Sequence, residues 1–261
     1  MPLHVEVRGS GPPLVLLHGF TQTGRLWGPF GDLMAESHTL VAVDLPGHGD
    51  SGSVRADLPA TAGLVAEAVR AQVADEPCAL LGYSLGARVA LHVGMDADLP
   101  LSHAVFIGVT AGIEDPAERA RRRRSDEDLA DELEASGDVE GFVDAWLRGP
   151  LFERLAVEGE AQRTERLRNS AGGLASSLRL CGTGTQEPLW DRLAAFPFPV
   201  LALAGSDDTR FASHALRVAR LVPHGVATLV PGGGHAVHLA QPQQASLLVR
   251  HWLDAVGPAV V

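Results

Sequence analysis

Ser84 stands in Gly82-Tyr83-Ser84-Leu85-Gly86, directly behind the apolar run Ala79-Leu80-Leu81 and ahead of a helical pattern. Glycines two residues to either side remove the Cβ atoms that would collide across a very tight strand-to-helix turn. Such a turn strains the serine and lifts its hydroxyl above the sheet edge, where it serves as a nucleophile or a base. Either task needs a group to take the hydroxyl proton, a carboxylate to orient that group, and N–H donors for negative charge developing on the substrate. Gly205-Ser206-Asp207-Asp208 follows the apolar run 200–204, and Gly232-Gly233-Gly234-His235 follows 227–230. Each loop leaves the carboxyl end of a predicted strand, where open α/β sheets hold their ligands. A glycine with the acid three residues later selects Asp208 over Asp207, which reads as a solvated turn residue. Position after the last strand selects His235 among eleven histidines, with His238 left to the rim of the site or to packing. His18-Gly19-Phe20 follows the run 14–17, so the backbone N–H groups of Phe20 and Leu85 are the candidate oxyanion donors. His18 reads as a loop-holding residue, and Asp44-Leu45-Pro46-Gly47-His48-Gly49 as an architectural turn.

These residues need a parallel sheet to gather them. Apolar runs at 5–7, 13–17, 40–43, 79–81, 104–107, 200–203 and 227–230 predict strands, the first at an edge. Their near-continuous apolarity suits strands covered on both faces. Helical patterns at 64–74 and 87–93 fit right-handed crossovers, and 242–256 predicts a last helix packed back on the core. From 111 to 195 the chain is charged and helical without a strand candidate, which predicts a lid inserted between core segments 1–110 and 196–261.

At 261 residues with 46% hydrophobic content, the chain fits one large α/β domain with an insertion. Cys78 and Cys181 make no disulfide framework; Cys78 opens a strand and reads as a small buried hydrophobe. No His/Cys/carboxylate spacing predicts a metal, and nothing predicts a cofactor. Thirty-two acidic against 21 basic residues give a net charge of −11, which argues against nucleic acid and anionic membranes as partners. The first residues lack a basic and then apolar leader pattern, and no apolar run approaches a membrane span, so a cytoplasmic location is expected. Any local arginine cluster in so acidic a chain stands out as a place for an anionic substrate.

Further motifs narrow the reading. The serine turn continues as Ala87-Arg88, an arginine four residues after the serine. Within 111–195 come Glu118-Arg119-Ala120-Arg121-Arg122, Trp146 with Pro150-Leu151-Phe152, Arg166-Leu167-Arg168-Asn169, Gly173 to Arg179, and Gly182-Thr183-Gly184-Thr185-Gln186 with Pro188-Leu189-Trp190. The acid loop runs on to Arg210-Phe211. Over nearly its whole length the chain resembles the α/β-hydrolase superfamily. Within it, these motifs resemble the MenH family, the 2-succinyl-6-hydroxy-2,4-cyclohexadiene-1-carboxylate synthases of the menaquinone pathway. The resemblance implies an α/β-hydrolase fold, with a mostly parallel doubly wound sheet and an inserted helical lid. It implies a lyase that eliminates pyruvate from an enolpyruvyl ether, with Ser84 as base, His235 as its partner and Asp208 as orienter. Ala87, where the family has glycine, and the extra Asp207 depart from its pattern without removing a catalytic group.

A polycarboxylate substrate needs cationic forks, and arginine grips a carboxylate with two bonds where lysine offers one charge. Arg88, Arg122 and Arg168 are the candidate carboxylate ligands, with Trp146 as an aromatic wall and Tyr83 as a hydroxyl beside the base. Arg122, Arg168 and the tryptophans have a plainer reading: Arg122 sits at i,i+4 from both Glu118 and Asp126, Arg168 neighbours Glu165, and the tryptophans suit lid packing, Trp190 more than Trp146. A carboxylesterase or carbon–carbon bond hydrolase shares the same triad, and a non-catalytic binding protein shares the fold. An aspartate at 84, which dehalogenase chemistry needs, is absent. The expected partner is a small polycarboxylate substrate, and the expected assembly is a monomer or small homo-oligomer.

Overall fold

The structure is a computed structural model that describes residues 2–74, 76–96, 99–153, 155 and 160–256. Seven strands make one sheet: β1 (Val5–Gly9), β2 (Pro13–Leu17), β3 (Thr39–Val43), β4 (Cys78–Tyr83), β5 (Leu101–Ile107), β6 (Val200–Gly205) and β7 (Gly225–Val230). Their order is β1-β3-β2-β4-β5-β6-β7, with β1 antiparallel to β3 and the other pairs parallel. This is the α/β-hydrolase arrangement expected from the sequence.

Side-chain alternation along the central strands divides the core into two layers. Leu14 and Leu16 of β2 join the cluster that holds Phe30 and Met34 of α1 (Gly28–Ala35) and Val249 and Leu253 of α10 (Pro242–Val256). Val15 and Leu17 join the opposite cluster, with Val65 and Val69 of α2 (Leu58–Val73) and Val89 and Val93 of α3 (Leu85–Asp96). Each fully buried Leu or Val contributes roughly 1.5–3 kcal/mol, so both faces hold the strands in register. The edge strand β7 departs from the expected full cover: Val226 and Leu229 are exposed. It has a sheet neighbour on one side only.

Caps explain where the helices start. Asp57 accepts from Ala60 N–H at the head of α2, which therefore begins six residues before the expected 64. The serine turn runs straight into α3 at Leu85 rather than at 87. Between β5 and β6 lie α4 (Pro116–Ser136), α5 (Val139–Leu147), α6 (Glu160–Arg166) and α7 (Ala171–Cys181), with short 3-10 turns at Pro150–Phe152 and Trp190–Ala195. No strand occurs there among the described residues. Asp115 and Ser170 cap α4 and α7, and Gly137 ends α4 in the left-handed conformation at φ 64°. Also placed in chain order are α8 (Thr209–Leu221), which follows β6, and α9 (Val237–Ala240), which precedes α10.

Ser84 itself has φ 51°, a conformation that costs a non-glycine residue about 1–3 kcal/mol. The turn is tight enough that a Cβ on Gly86 would overlap the carbonyls of Leu17 and His18, and one on Gly82 would overlap the backbone of Gly86. Gly86→Ala should therefore cost about 3 kcal/mol or more in urea unfolding, because backbone rather than a movable side chain is in the way. A midpoint equal to that of the parent chain would show that the turn has slack.

Candidate active site

Four loops from the carboxyl ends of β2, β4, β6 and β7 meet above the sheet. Ser84 Oγ lies 3.0 Å from His235 Nε2, and His235 Nδ1 lies 2.8 Å from Asp208 Oδ2. A carboxylate only accepts, so Nδ1 carries the imidazole proton and Nε2 is free to accept from the serine hydroxyl. The other Asp208 oxygen accepts from Phe211 N–H at 3.3 Å, which makes this aspartate the cap of α8 and fixes its rotation. The His235 ring is almost fully buried between Tyr83, Phe211 and Phe152. Asp207 is exposed and accepts from Ser206 Oγ at 3.1 Å, as a turn residue would. This arrangement can draw a proton from the serine or, in reverse, let the serine oxygen take one from a substrate.

The loop after β2 supplies the facing wall. His18 Nε2 accepts from Leu45 N–H at 3.0 Å, and its Nδ1 donates to Gly19 O at 2.8 Å. The imidazole thus ties this loop to the turn after β3. Gly19 N–H donates to Gln22 Oε1 at 2.8 Å. Thr21, buried at φ 67°, is held from two directions: its hydroxyl accepts from Arg166 Nη1 at 2.6 Å and its carbonyl from Asn169 Nδ2 at 2.8 Å. Phe20 and Leu85 both line the cavity beside Ser84. Leu85 opens α3, so its N–H is among those a helix leaves without an internal acceptor.

The cavity brings together Ser84, His235, Phe20, Leu85, Arg88, Arg122 and Trp146. Arg88 is buried at 7% exposure, and its Nη1 has no hydrogen-bond partner. Burial, and after it the like charge of Arg122, pulls its pKa down to about 10 against the opposing influence of Cys181; it remains a cation at neutral pH. Arg122 donates through Nε to Asp126 Oδ1 at 2.8 Å. Both readings of Arg122 therefore hold at once: it is paired at i,i+4 and it lines the cavity. Trp146 meets Phe20 edge-on at 5.0 Å, and its buried indole N–H has no partner.

Two expected substrate contacts are not in the cavity wall. Arg168 turns outward, with Nη2 2.8 Å from Asp50 Oδ2 and Nε 3.8 Å from Glu165 Oε2. Helix α6 ends at Arg166, and the two arginines point in opposite directions. The inward one is Arg166, 1% exposed. Spacing alone does not tell two arginines two residues apart which of them faces in. Tyr83 packs beneath the site, its ring 4.3 Å from that of His238 and against Gly19, because the last residue of β4 faces the buried side. His238 is likewise buried against Trp27 and Phe30 rather than at a rim. Trp190 packs as expected, donating to Gly112 O at 2.9 Å beneath the Arg217 guanidinium.

Sequence reasoning passed over Phe211 and Cys181, which also line the cavity. Phe211 was visible as the residue closing the acid loop. The Cys181 thiol is pushed up to about 11 by burial, which leaves it protonated and unreactive, and Cys78 is raised likewise. Among the described residues, His4, Asp44 and Asp50 offer donor atoms within 4.8 Å of one another. Asp44 already accepts from Gly24 N–H at 2.6 Å and from Asp50 N–H at 2.8 Å, and Asp50 pairs with Arg168, so these groups act as loop ties.

The chain as a whole matches a known family. Residues 14–246 match the model of the alpha/beta hydrolase family. A Bacillus subtilis (strain 168) protein provisionally named 2-succinyl-6-hydroxy-2,4-cyclohexadiene-1-carboxylate synthase is 33% identical over 96% of this chain and 93% of its own. The Photorhabdus laumondii protein of that name is 32% identical, over 93% and 86%. Among solved structures, MenH from S. aureus superposes with a TM-score of 0.90 at 28% identity, covering 97% of this chain and 98% of that one. The chain belongs to the α/β hydrolase family and, within it, groups with these synthases.

Buried histidines give the site a pH limit. Burial holds His18 down at about 4 and His48 and His238 at about 3, with neighbouring positive charges adding to the effect. Their folded pKa values lie below the unfolded value of about 6.5, so the unfolded chain binds more protons below that pH. The stability is whole above pH 6.5 and is lost as pH falls towards 4 and then 3, by roughly 1 kcal/mol per pH unit for each histidine in that window. Urea midpoints at pH 7, 6 and 5 should fall steeply; a flat profile would mean these imidazoles are charged or solvated in the fold.

Proposed function

We propose that this chain is a 2-succinyl-6-hydroxy-2,4-cyclohexadiene-1-carboxylate synthase. It would release pyruvate from 2-succinyl-5-enolpyruvyl-6-hydroxy-3-cyclohexene-1-carboxylate. The observation that carries the reading is Arg88, a cation buried at the base of the same cavity as the Ser84–His235–Asp208 relay, with Arg122 beside it. A pocket for neutral esters has no use for a buried guanidinium whose Nη1 lacks a partner, as in Arg88, since burying a charge is costly unless a counter-charge arrives with the ligand.

In this reading Ser84 Oγ takes the ring proton next to the succinyl carbonyl while its own proton passes to His235 Nε2. The carbon left behind is conjugated with the ring double bond. Electrons move through that bond and break the ether C–O bond at the far end, leaving the second double bond of the product. The departing enolate takes the proton back from the imidazolium and becomes pyruvate. Asp208 steadies the imidazolium, the N–H groups of Phe20 and Leu85 steady the dienolate oxygen, and Arg88 and Arg122 hold carboxylates. No metal or cofactor enters the scheme.

The segment 111–195 acts as a cap over the core 1–110 and 196–261. The cavity is lined from both parts, by Ser84 and His235 of the core and by Arg122, Trp146 and Leu151 of the cap. No helix among the described residues is long and apolar enough to cross a membrane, and the reading places the reaction in the cytoplasm.

The test is pyruvate release from the enolpyruvyl substrate, run beside hydrolysis of p-nitrophenyl acetate. Dominant ester cleavage without pyruvate would reject the synthase in favour of an esterase. No activity of either kind would leave a binding protein. Arg88→Ala should lower turnover of the anionic substrate by tens to hundreds of fold, since one charge-assisted bond is worth roughly 1.5–3 kcal/mol. Arg168→Ala, which removes only a surface pair, should stay within about twofold; a larger loss would return Arg168 to the site.

A further inference from the structure

Arg122 and Arg88 present like charges to one small cavity, and nothing in a flexible, partly exposed arginine keeps it there. Left alone, the Arg122 guanidinium would gain hydration and lose repulsion by swinging to solvent, since its side chain is 38% exposed. Asp126 opposes this. Its carboxylate is 5% exposed, lines the same cavity, and binds Arg122 through Nε at 2.8 Å. A bond to Nε, at the inner edge of the guanidinium, fixes the plane of the fork while leaving both Nη groups for a ligand. The second Asp126 oxygen is buried with no hydrogen-bond partner, packed where a Cβ on Gly182 would collide with it. An ordinary i,i+4 pair on a solvated helix face keeps both oxygens in water; this one leaves one oxygen bare inside the wall.

We infer that Asp126 is a positioning residue for the reaction: it locks Arg122 over the cavity so that Arg122 and Arg88 together form a preset carboxylate clamp. The inference rests on the synthase reading for the identity of the substrate. It rests on the geometry alone for the anion-binding role. The sign of the effect separates it from simple electrostatics. A negative group beside an anion site repels the ligand, so if Asp126 acted by charge alone, Asp126→Asn would tighten binding. If it acts by holding Arg122, the same change weakens binding.

The experiment compares the parent chain with Asp126→Asn, Arg122→Gln and the double variant. It reads kcat and KM for pyruvate release, thermal unfolding, and calorimetric binding of 4-(2-carboxyphenyl)-4-oxobutanoate, a stable aromatic dicarboxylate. We expect Asp126→Asn to raise KM and the dicarboxylate Kd by about 5- to 50-fold, with kcat within about threefold and unfolding unchanged. In the Arg122→Gln background it should add no further loss, because the aspartate supports binding through that arginine. Unchanged or tighter binding, or losses that add in the double variant, would overturn the proposal. Asp126→Ser replaces the asparagine variant if that one does not fold; failure of both would make Asp126 a folding residue and overturn it too. If the parent chain binds the dicarboxylate but releases no pyruvate, the synthase reading fails while the clamp is still decided by the binding arm.

Discussion

A serine held at φ 51° between two glycines is the constraint on which the rest of the site depends. The strain is affordable because Ile107 O takes the Ser84 N–H at 2.9 Å, Ser84 O takes the Arg88 N–H at 3.1 Å, and α3 packs against the strand before it. The same close approach that forbids a Cβ at Gly86 brings the start of α3 against the end of β2. The candidate oxyanion loop and the nucleophilic turn are therefore set by one contact. From Ser84 the helix also carries Arg88 one turn onward, so the reacting oxygen and the buried cation share a rigid element. A site built on such an element keeps its geometry better than one built on loops.

Charge follows a similar logic. The chain carries a net charge of −11, yet the cavity wall presents Arg88 and Arg122 with Asp126 as the one carboxylate in the lining among the described residues. A long-range negative field and a local positive site are compatible because exposed charges are screened within about 8–10 Å in salt, while buried ones are not. Most exposed arginines described here are spent on surface partners, as with Arg179 on Asp131 and Glu134 or Arg163 on Glu140 and Asp144. The buried ones differ: Arg166 holds the strained Thr21, and Arg88 faces the cavity. Burial thus sorts one residue type into separate roles.

Much of this was legible in the chain. Strand runs, the glycines around Ser84 and the order of Ser84, Asp208 and His235 are local signals, and each depends on period or on neighbours within a few residues. The rule that strand ends converge then gathers distant residues into one site. What stayed hidden depends on side-chain direction. Arg166 and Arg168 differ by two residues and face opposite ways, one buried on Thr21 and the other paired with Asp50 at the surface. Tyr83 is in the motif, yet the alternation of β4 turns its ring beneath the histidine rather than towards substrate. Asp126 was visible as a helical partner of Arg122, but its burial was not, because burial there is set by Gly182 from a different segment.

The proposed synthase chemistry requires Ser84 to remove a carbon-bound proton rather than to form an ester with its substrate. Single-turnover rates with the enolpyruvyl substrate carrying deuterium at the ring carbon that bears the succinyl group test it most directly. Proton removal by Ser84 gives slower pyruvate release from the deuterated substrate and no covalent adduct on Ser84 by mass spectrometry. Equal rates, with an adduct on that serine during turnover, would contradict it.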